Sequence, residues 1–381
     1  MRLIEKLSIL CFLASSATYG RAADIDWNPA RTRVFIVGLL EWKDSVTFGS
    51  FPKKGRRDTR LVSVFKKSGV PAQNISVMQD DAATTSFVRK AFDTFVGTVE
   101  KDETLFVYYC GHGYECEDGT VCFATYDAEG SKAKNGWAVP DIIKSIENNF
   151  EGVRVVLMAD CCLSGAMVNA AKSARNKVQY ACFASVENKE TSTGCWTFSD
   201  SLLNALEGAP FVDVNGDGAI TQDETAKYIH AEMAFFDDQT AASCVTNGFK
   251  PTFRLAAPER KSAHTRLGEN VEAKQNGQWQ KALIEDFKDG EFKVYFSSTA
   301  DRQEIWVPER NIRSLKAPRT PGENPPAILS AGMAVKVEWK RRWWPAKILK
   351  ENEKTLRYLV EYDGYDEEWN EWVAPTRIRL R

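Results

Sequence analysis

Two apolar runs limit what this chain can fold into more than anything else in it. Thr104-Leu105-Phe106-Val107-Tyr108-Tyr109 and Val153-Arg154-Val155-Val156-Leu157-Met158 are rich in β-branched and aromatic residues and too short to be buried helices. Runs of this kind form parallel strands covered on both faces. Each breaks off at a turn. The first leads into Cys110-Gly111-His112-Gly113, where the glycines let the backbone bend around an uncrowded imidazole. The second leads into Ala159-Asp160-Cys161-Cys162-Leu163-Ser164-Gly165. In open α/β sheets, chemistry sits at the carboxyl ends of the strands. A histidine at one such end and a cysteine at another predict a Cys–His dyad. A strand-end cysteine alone is usually core, and a lone histidine usually structural. The combination outweighs both readings. Of the three histidines, His112, His230 and His264, only His112 follows a core strand, and the 50 residues from His112 to Cys162 leave room for one crossover unit.

The pair Tyr109-Cys110-Gly111-His112-Gly113 and Asp160-Cys161-Cys162-Leu163-Ser164-Gly165 resembles the caspase-type cysteine peptidases, and among them the metacaspase-like branch, with its Tyr/Ser-Gly-His-Gly and Asp-x-Cys-His-Ser-Gly motifs. The resemblance spans residues 31–256 and implies a caspase-like α/β fold, cysteine endopeptidase activity, Cys162 as nucleophile and His112 as its base. Leu163 stands where those enzymes usually carry a histidine, a position that is not the catalytic base. The Gln-Ala-Cys signature of animal caspases is absent.

The same resemblance implies that Asp160 and an aspartate at the start of the first helix, matched by Asp58, line the pocket for the residue before the cut bond. Two carboxylates in a desolvated slot favour a guanidinium or ammonium group, so the expected substrates are proteins or peptides with Arg or Lys at the cut site. A helix N-cap is the plain alternative for Asp58, and Arg56 and Arg57 stand beside it as neutralising charges. The backbone N–H groups near Gly113 and Cys162 are the expected oxyanion donors. The competing reading is a catalytically silent scaffold that keeps the fold and acts through its C-terminal modules; the intact His112–Cys162 pair argues against it.

Strands alternate with helices from residue 34 to residue 206, which predicts a mostly parallel sheet with helices on both faces. In the helix expected at 85–99, Phe87, Val88, Ala91, Phe92 and Phe95 are placed inward. Residues 213–224 fit an EF-hand loop at its key positions. Asp213, Asn215, Asp217 and Glu224 supply oxygen at positions 1, 3, 5 and 12, with Gly218 at position 6 and Ile220 at position 8. The Ala219 carbonyl and Thr221 complete the expected ligand set for one calcium ion. A helix follows as required, but Gly208-Ala209-Pro210 interrupts the one before, so a lone site is expected.

Beyond Phe253 the alternation stops and a tandem duplication begins. Val271, Trp279, Ala282 and Ile284 recur 64 residues later as Val335, Trp343, Ala346 and Ile348. Phe296, Trp306 and Ile312 recur after 66 as Tyr362, Trp372 and Ile378. Two small β-barrels are expected, at 262–316 and 328–381, joined by a proline-rich linker. Their runs resemble Tudor, agenet and chromo-barrel modules, which often hold cationic or methylated ligands in an aromatic cage. Trp339, Tyr362, Tyr365 and Trp369 are the cage candidates, while Trp306 and Trp372 are assigned to the cores. A peptide or an intramolecular partner is the expected ligand.

Residues 1–23 read as a secretory signal peptide: Arg2 and Lys6, then a short apolar run, then small residues. An exported, soluble protein is the expectation, with disulfides admitted and Cys116 and Cys122 placed to pair across a hairpin. No other run approaches membrane length. A net charge of −2 gives no nucleic-acid signal. Lys172, Arg175 and Lys177 lie in an alanine-rich stretch after the cysteine motif, where self-cleavage is expected if the stretch is open rather than helical.

Overall fold

In the computed structural model the described residues are 26–130, 135–174, 178–187, 192–259, 264, 266–297, 302–315, 331–339, 342–352, 357–373 and 377–380. The signal-peptide segment, Arg175 and Lys177 lie outside them. The body is built from β1 (Thr32–Gly38), α1 (Arg57–Lys67), β2 (Ile75–Gln79), α2 (Thr85–Val96), β3 (Thr104–Cys110), the small strands β4 (Gly113–Glu115), β5 (Val121–Phe123) and β6 (Trp137–Ala138), α3 (Val139–Asn149), β7 (Arg154–Asp160), α4 (Gly165–Ser173), β8 (Gln179–Ala184), α5 (Thr197–Leu206), β9 (Ile220–Thr221), α6 (Gln222–Phe236), β10 (Ala242–Val245) and β11 (Arg254–Ala256). Six strands form one sheet in the order β10-β8-β7-β3-β1-β2. It is parallel except for β10, which runs antiparallel to β8.

The apolar runs are what this sheet requires. All of β3 is buried, because its two faces meet separate cores. Phe35, Val37, Leu105, Val107 and Tyr109 face α2, α3 and α4. Val34, Ile36, Phe106 and Tyr108 face α1, α5 and α6. Helix α2 buries Val88, Phe92 and Val96, one per turn, but Phe87 is 68% exposed. That corrects its inward assignment: residue 87 falls on the opposite side of the helix from the stripe set by 88, 92 and 96.

Register fixes the site. Gly38, Cys110 and Asp160 are register neighbours at the carboxyl ends of β1, β3 and β7. The chain leaves β1 for β2 on one side of it and reaches β3 on the other, a topological switch point.

The duplication folds as two five-stranded antiparallel sheets of one topology. The first contains β12 (Asn270–Gln275), β13 (Gln278–Lys288), β14 (Glu291–Phe296), β15 (Gln303–Pro308) and β16 (Ile312–Ser314). The second contains β17 (Ala334–Trp339), β18 (Arg342–Asn352), β19 (Arg357–Tyr362), β20 (Glu371–Val373) and β21 (Ile378–Leu380). Their strand orders correspond, β15-β14-β13-β12-β16 and β20-β19-β18-β17-β21. Both long strands carry a register shift at equivalent places, after Ile284 and after Ile348.

The core assignment of Trp306 and Trp372 is off by one residue. Val307 and Val373 point inward, Trp306 is 42% exposed and Trp372 is partly exposed. In a strand a one-residue slip exchanges the faces. Trp279 and Trp343 instead lie under Arg313 and Arg379, at 4.4 and 4.0 Å from the ring centroids, a self-made cation–π pair repeated in both copies.

Candidate functional site

The histidine turn and the cysteine turn touch through their backbones. A Cβ added at Gly113 would lie 2.0 Å from the carbonyl oxygen of Cys162, so only glycine lets the two turns close on each other. Gly113→Ala is therefore expected to lower any Cys162-dependent turnover by at least tenfold, since small displacements of reacting groups cost on that order. Unchanged turnover in that variant would contradict the contact.

His112 is walled in by Trp42, Phe48 and Phe51, whose ring centroids lie 4.5, 5.8 and 4.8 Å from its own. Its Nε2 is 2.8 Å from the Gly49 carbonyl oxygen. A carbonyl only accepts, so Nε2 carries the proton, and the neutral ring keeps its lone pair on Nδ1. Burial among the aromatics pushes the imidazole pKa down, against a smaller upward pull from the Gly49 bond. The ring is a free base at neutral pH.

In the sequence, Gly49 itself carries no signal for this role. The detectable signal was three aromatics, Trp42, Phe48 and Phe51, in an otherwise polar stretch.

The two cysteines differ by environment. Cys161 is buried, 2% exposed, and burial pushes its thiol far up. Cys162 is half-buried, and the Ser192 N–H donates to its Sγ at 3.2 Å. Burial raises this thiol too, while the Ser192 bond lowers it. Leu163 follows at φ 61°, a left-handed conformation in which a leucine is strained. It makes the sharp turn that presents residue 162 while 161 stays in the core. Among the described residues no hydrogen bond joins His112 to Cys162 directly. Beside Leu163 a groove of about 350 Å³ runs between α4 and the β4–β5 hairpin. In that hairpin the sulfurs of Cys116 and Cys122 lie 3.0 Å apart as free thiols.

Asp58 and Asp160, the two carboxylates expected to line a pocket, both lie close to Cys110 and have different neighbours. Asp160 is 4% exposed; burial lifts its pKa to about 7, against the Ser199 hydroxyl and N–H, which donate to it at 2.5 and 3.2 Å. Asp58 is 1% exposed and is held by Arg56 at 2.8 Å and by Gln79 at 2.9 Å. Arg56 also reaches Asp80 at 2.6 Å and the Gly38 carbonyl at 2.8 Å. So Arg56 neutralises Asp58, whereas Arg57 turns away to Asp200. Asp58 is not the N-cap of α1; Arg56 occupies that position.

In the 213–224 loop, Asp213 accepts from the N–H groups of Gly216, Asp217 and Gly218 at 2.9, 3.2 and 3.0 Å. Asn215 and Asp217 accept from the N–H groups of Asp217 and Ala219. Glu224 closes a capping box with Thr221 through Oε2. Its Oε1 is buried with no hydrogen-bond partner. Burial, then neighbouring carboxylates, raise the pKa of Asp213 and Glu224. An orphaned buried oxygen among carboxylates, asparagine and carbonyls is a donor set suited to a hard cation. Among the described residues no three His, Cys, Asp or Glu side chains converge on one point.

The cage candidates meet in the second barrel. Trp339 and Trp369 are edge-on at 6.2 Å, Tyr365 and Trp369 edge-on at 5.9 Å, and Tyr362 and Tyr365 edge-on at 6.4 Å. Trp344, missed from sequence, joins Trp339 at 6.2 Å and Tyr365 at 5.9 Å. Tyr365 and Trp369 are 44% and 52% exposed. Tyr362 is buried and donates to Glu371, itself paired with Arg377 at 2.8 Å. Residues 335–381 match the Agenet domain family.

This Agenet-like barrel is thus similar to Tudor-type modules in sequence as well as in its five-stranded antiparallel sheet. No curated protein sequence matches the chain. A crystal structure of protein GSU0716 from Geobacter sulfurreducens covers 60% of this chain and 100% of its own, at 14% identity and a TM-score of 0.41. Among the described residues no helix is long and apolar enough to cross a membrane.

Proposed function

We propose that this protein is an exported cysteine endopeptidase of caspase-like type that cuts after Arg or Lys, with a cation-binding Agenet-like barrel and one structural or regulatory calcium ion. The observation that supports the peptidase reading is the backbone contact between Gly113 and Cys162, which brings the turn carrying a neutral His112 against the turn carrying Cys162. In this reading Cys162 gives its proton to His112, and the thiolate attacks the scissile carbonyl carbon. The N–H groups of Gly113 and Cys162 take the oxyanion. His112 then protonates the leaving amine, and water hydrolyses the thioester.

Asp160 and Asp58 supply the preference for a cationic side chain, with Arg56 the guanidinium that a substrate has to displace to reach Asp58. A panel of fluorogenic peptides, with and without calcium, tests the reading. Turnover after Asp but not after Arg or Lys would overturn the pocket assignment.

Because burial holds Asp160 near pKa 7, the carboxylate is mostly protonated below that pH and charged above it. Turnover of Arg peptides, as kcat/KM, is expected to rise with pH through about 7. Asp160→Asn should flatten that limb and raise KM. An unaltered profile in the variant would remove Asp160 from substrate binding.

Asp213, Asn215, Asp217, the Ala219 carbonyl, Thr221 and Glu224 would hold the calcium, which supplies a charge that settles the raised carboxylates. At 100 times its Kd, calcium should add about 2.7 kcal/mol to stability. Calorimetry should give a higher Tm with millimolar calcium and none of that gain in Glu224→Gln. Equal Tm values with and without calcium in the unsubstituted protein would refute the site.

The scaffold alternative is favoured by one observation, the partly exposed ring cluster of the Agenet-like barrel. Covalent labelling of Cys162 by a peptidyl-Arg electrophile separates the two readings.

A further inference from the structure

The two barrels share a topology but not a ligand surface. The positions of Trp339 and Trp369 are held in the first barrel by Gln275 and Gln303, 64 and 66 residues earlier. There the Gln275 amide donates to Gln303 at 3.2 Å, where the second copy sets two indoles edge-on. The first barrel has no counterpart of that tryptophan pair to receive a cation. Another of its surfaces is spent on the body. Leu283 of β13 and Tyr295 of β14 are buried in one apolar cluster with Ala205, Phe211 and Ile220.

Polar contacts at that interface converge on the first two turns of α5. Tyr295 donates its hydroxyl to Asp200 at 2.9 Å, and Arg302 lies 3.6 Å from the other Asp200 oxygen. Arg302 also donates to Asn204 at 3.1 Å and to Glu285, and its guanidinium covers the Tyr295 ring at 4.4 Å. The hydroxyls of Thr197 and Ser297 are 2.6 Å apart. From the body side Arg57 grips the same aspartate at 3.0 Å. The residue before Asp200 is Ser199, whose hydroxyl and N–H both hold Asp160, two positions before Cys162.

We infer that the first barrel is a built-in clamp rather than a ligand reader: Tyr295 and Arg302 fix the first turn of α5 and, through Ser199, the position of Asp160. They are positioning residues, and the functional half of the inference rests on the peptidase reading above. Its structural half stands without it.

The test uses the full chain, Tyr295→Phe and the double variant Tyr295→Phe/Arg302→Met, in two measurements. Amide hydrogen exchange follows residues 197–200 against β1 and β3. Protection of 197–200 should fall at least tenfold in Tyr295→Phe while that of the strands holds. Unchanged protection, or loss only in step with the strands, would overturn the clamp. If the double variant fails to fold, the single variant, which loses one hydroxyl, still decides.

The second measurement is steady-state cleavage of a peptidyl-Arg substrate. KM should rise about fivefold or more with kcat within a factor of two, because the pocket carboxylate moves and the dyad does not. Loosened 197–200 amides with unchanged KM would overturn the link to Asp160. Absence of turnover and of Cys162 labelling in the unsubstituted protein would instead fail the peptidase reading, leaving the exchange result to judge the clamp.

Discussion

Cys162→Ala is expected to abolish cleavage of Arg and Lys peptides, by about 10⁵-fold or more, because a triad or dyad without its nucleophile retains only binding and oxyanion stabilisation. Cys161→Ala should keep most of the activity. The distinction rests on one strained turn. Leu163 at φ 61° swings residue 162 outward, while Cys161 stays in the core cluster, and its N–H donates to the Ser185 hydroxyl at 3.2 Å. Removing the Cys161 sulfur costs roughly 1 kcal/mol of packing and leaves its backbone bond in place. The check is steady-state cleavage by both variants at matched folded fraction, with mass spectrometry of electrophile-treated protein. Labelling confined to Cys161, or turnover surviving in Cys162→Ala, would reverse the assignment.

The largest effect on stability is expected from Asp200→Ala. This carboxylate is 1% exposed at the side chain and lies between Arg57, itself 3% exposed, and Arg302. Deleting it takes a carboxylate partner from each of two guanidinium groups held largely away from water. Breaking a buried pair by removing one partner costs about 3–5 kcal/mol, so Tm should fall by roughly 10 °C. Asp200→Asn, which keeps the shape and one acceptor, should lose less. Chemical denaturation of both variants measures this directly. A loss under about 1 kcal/mol in the alanine variant would place Asp200 among ordinary surface ion pairs.

What was legible in the sequence was what depends on local pattern. The β-branched runs gave strands, and their abrupt ends gave the turns of His112 and Cys162. The 64- and 66-residue repeats gave two similar sheets, and Trp339, Tyr362, Tyr365 and Trp369 do gather in one of them. The neutralisation of Asp58 by Arg56 was also visible as an adjacency. What stayed hidden depends on pairing at a distance or on a backbone atom. The Gly49 carbonyl that orients His112 has no side-chain signature. Tyr295 and Arg302 find Asp200 across 95 and 102 residues of chain. Trp306 and Val307 are neighbours in a strand, and only the pleat register decides which is inside.

The apolar cluster shared by α5, Phe211, Ile220, Leu283 and Tyr295 bears on where this molecule divides. The composition break near residues 257–261 has the look of a domain boundary, yet the side chains on its two sides belong to one core. The Agenet-like barrel is different. Among the described residues its apolar cluster is its own, and its contacts to α6 include Lys227 with the Asn370 carbonyl at 2.9 Å and His230 parallel to Trp339. A proteolytic cut in the proline-rich stretch at 318–326 would thus release a piece with an intact interior. A cut at 257–261 would leave two halves, each exposing a raw apolar face, and both would be expected to aggregate rather than fold.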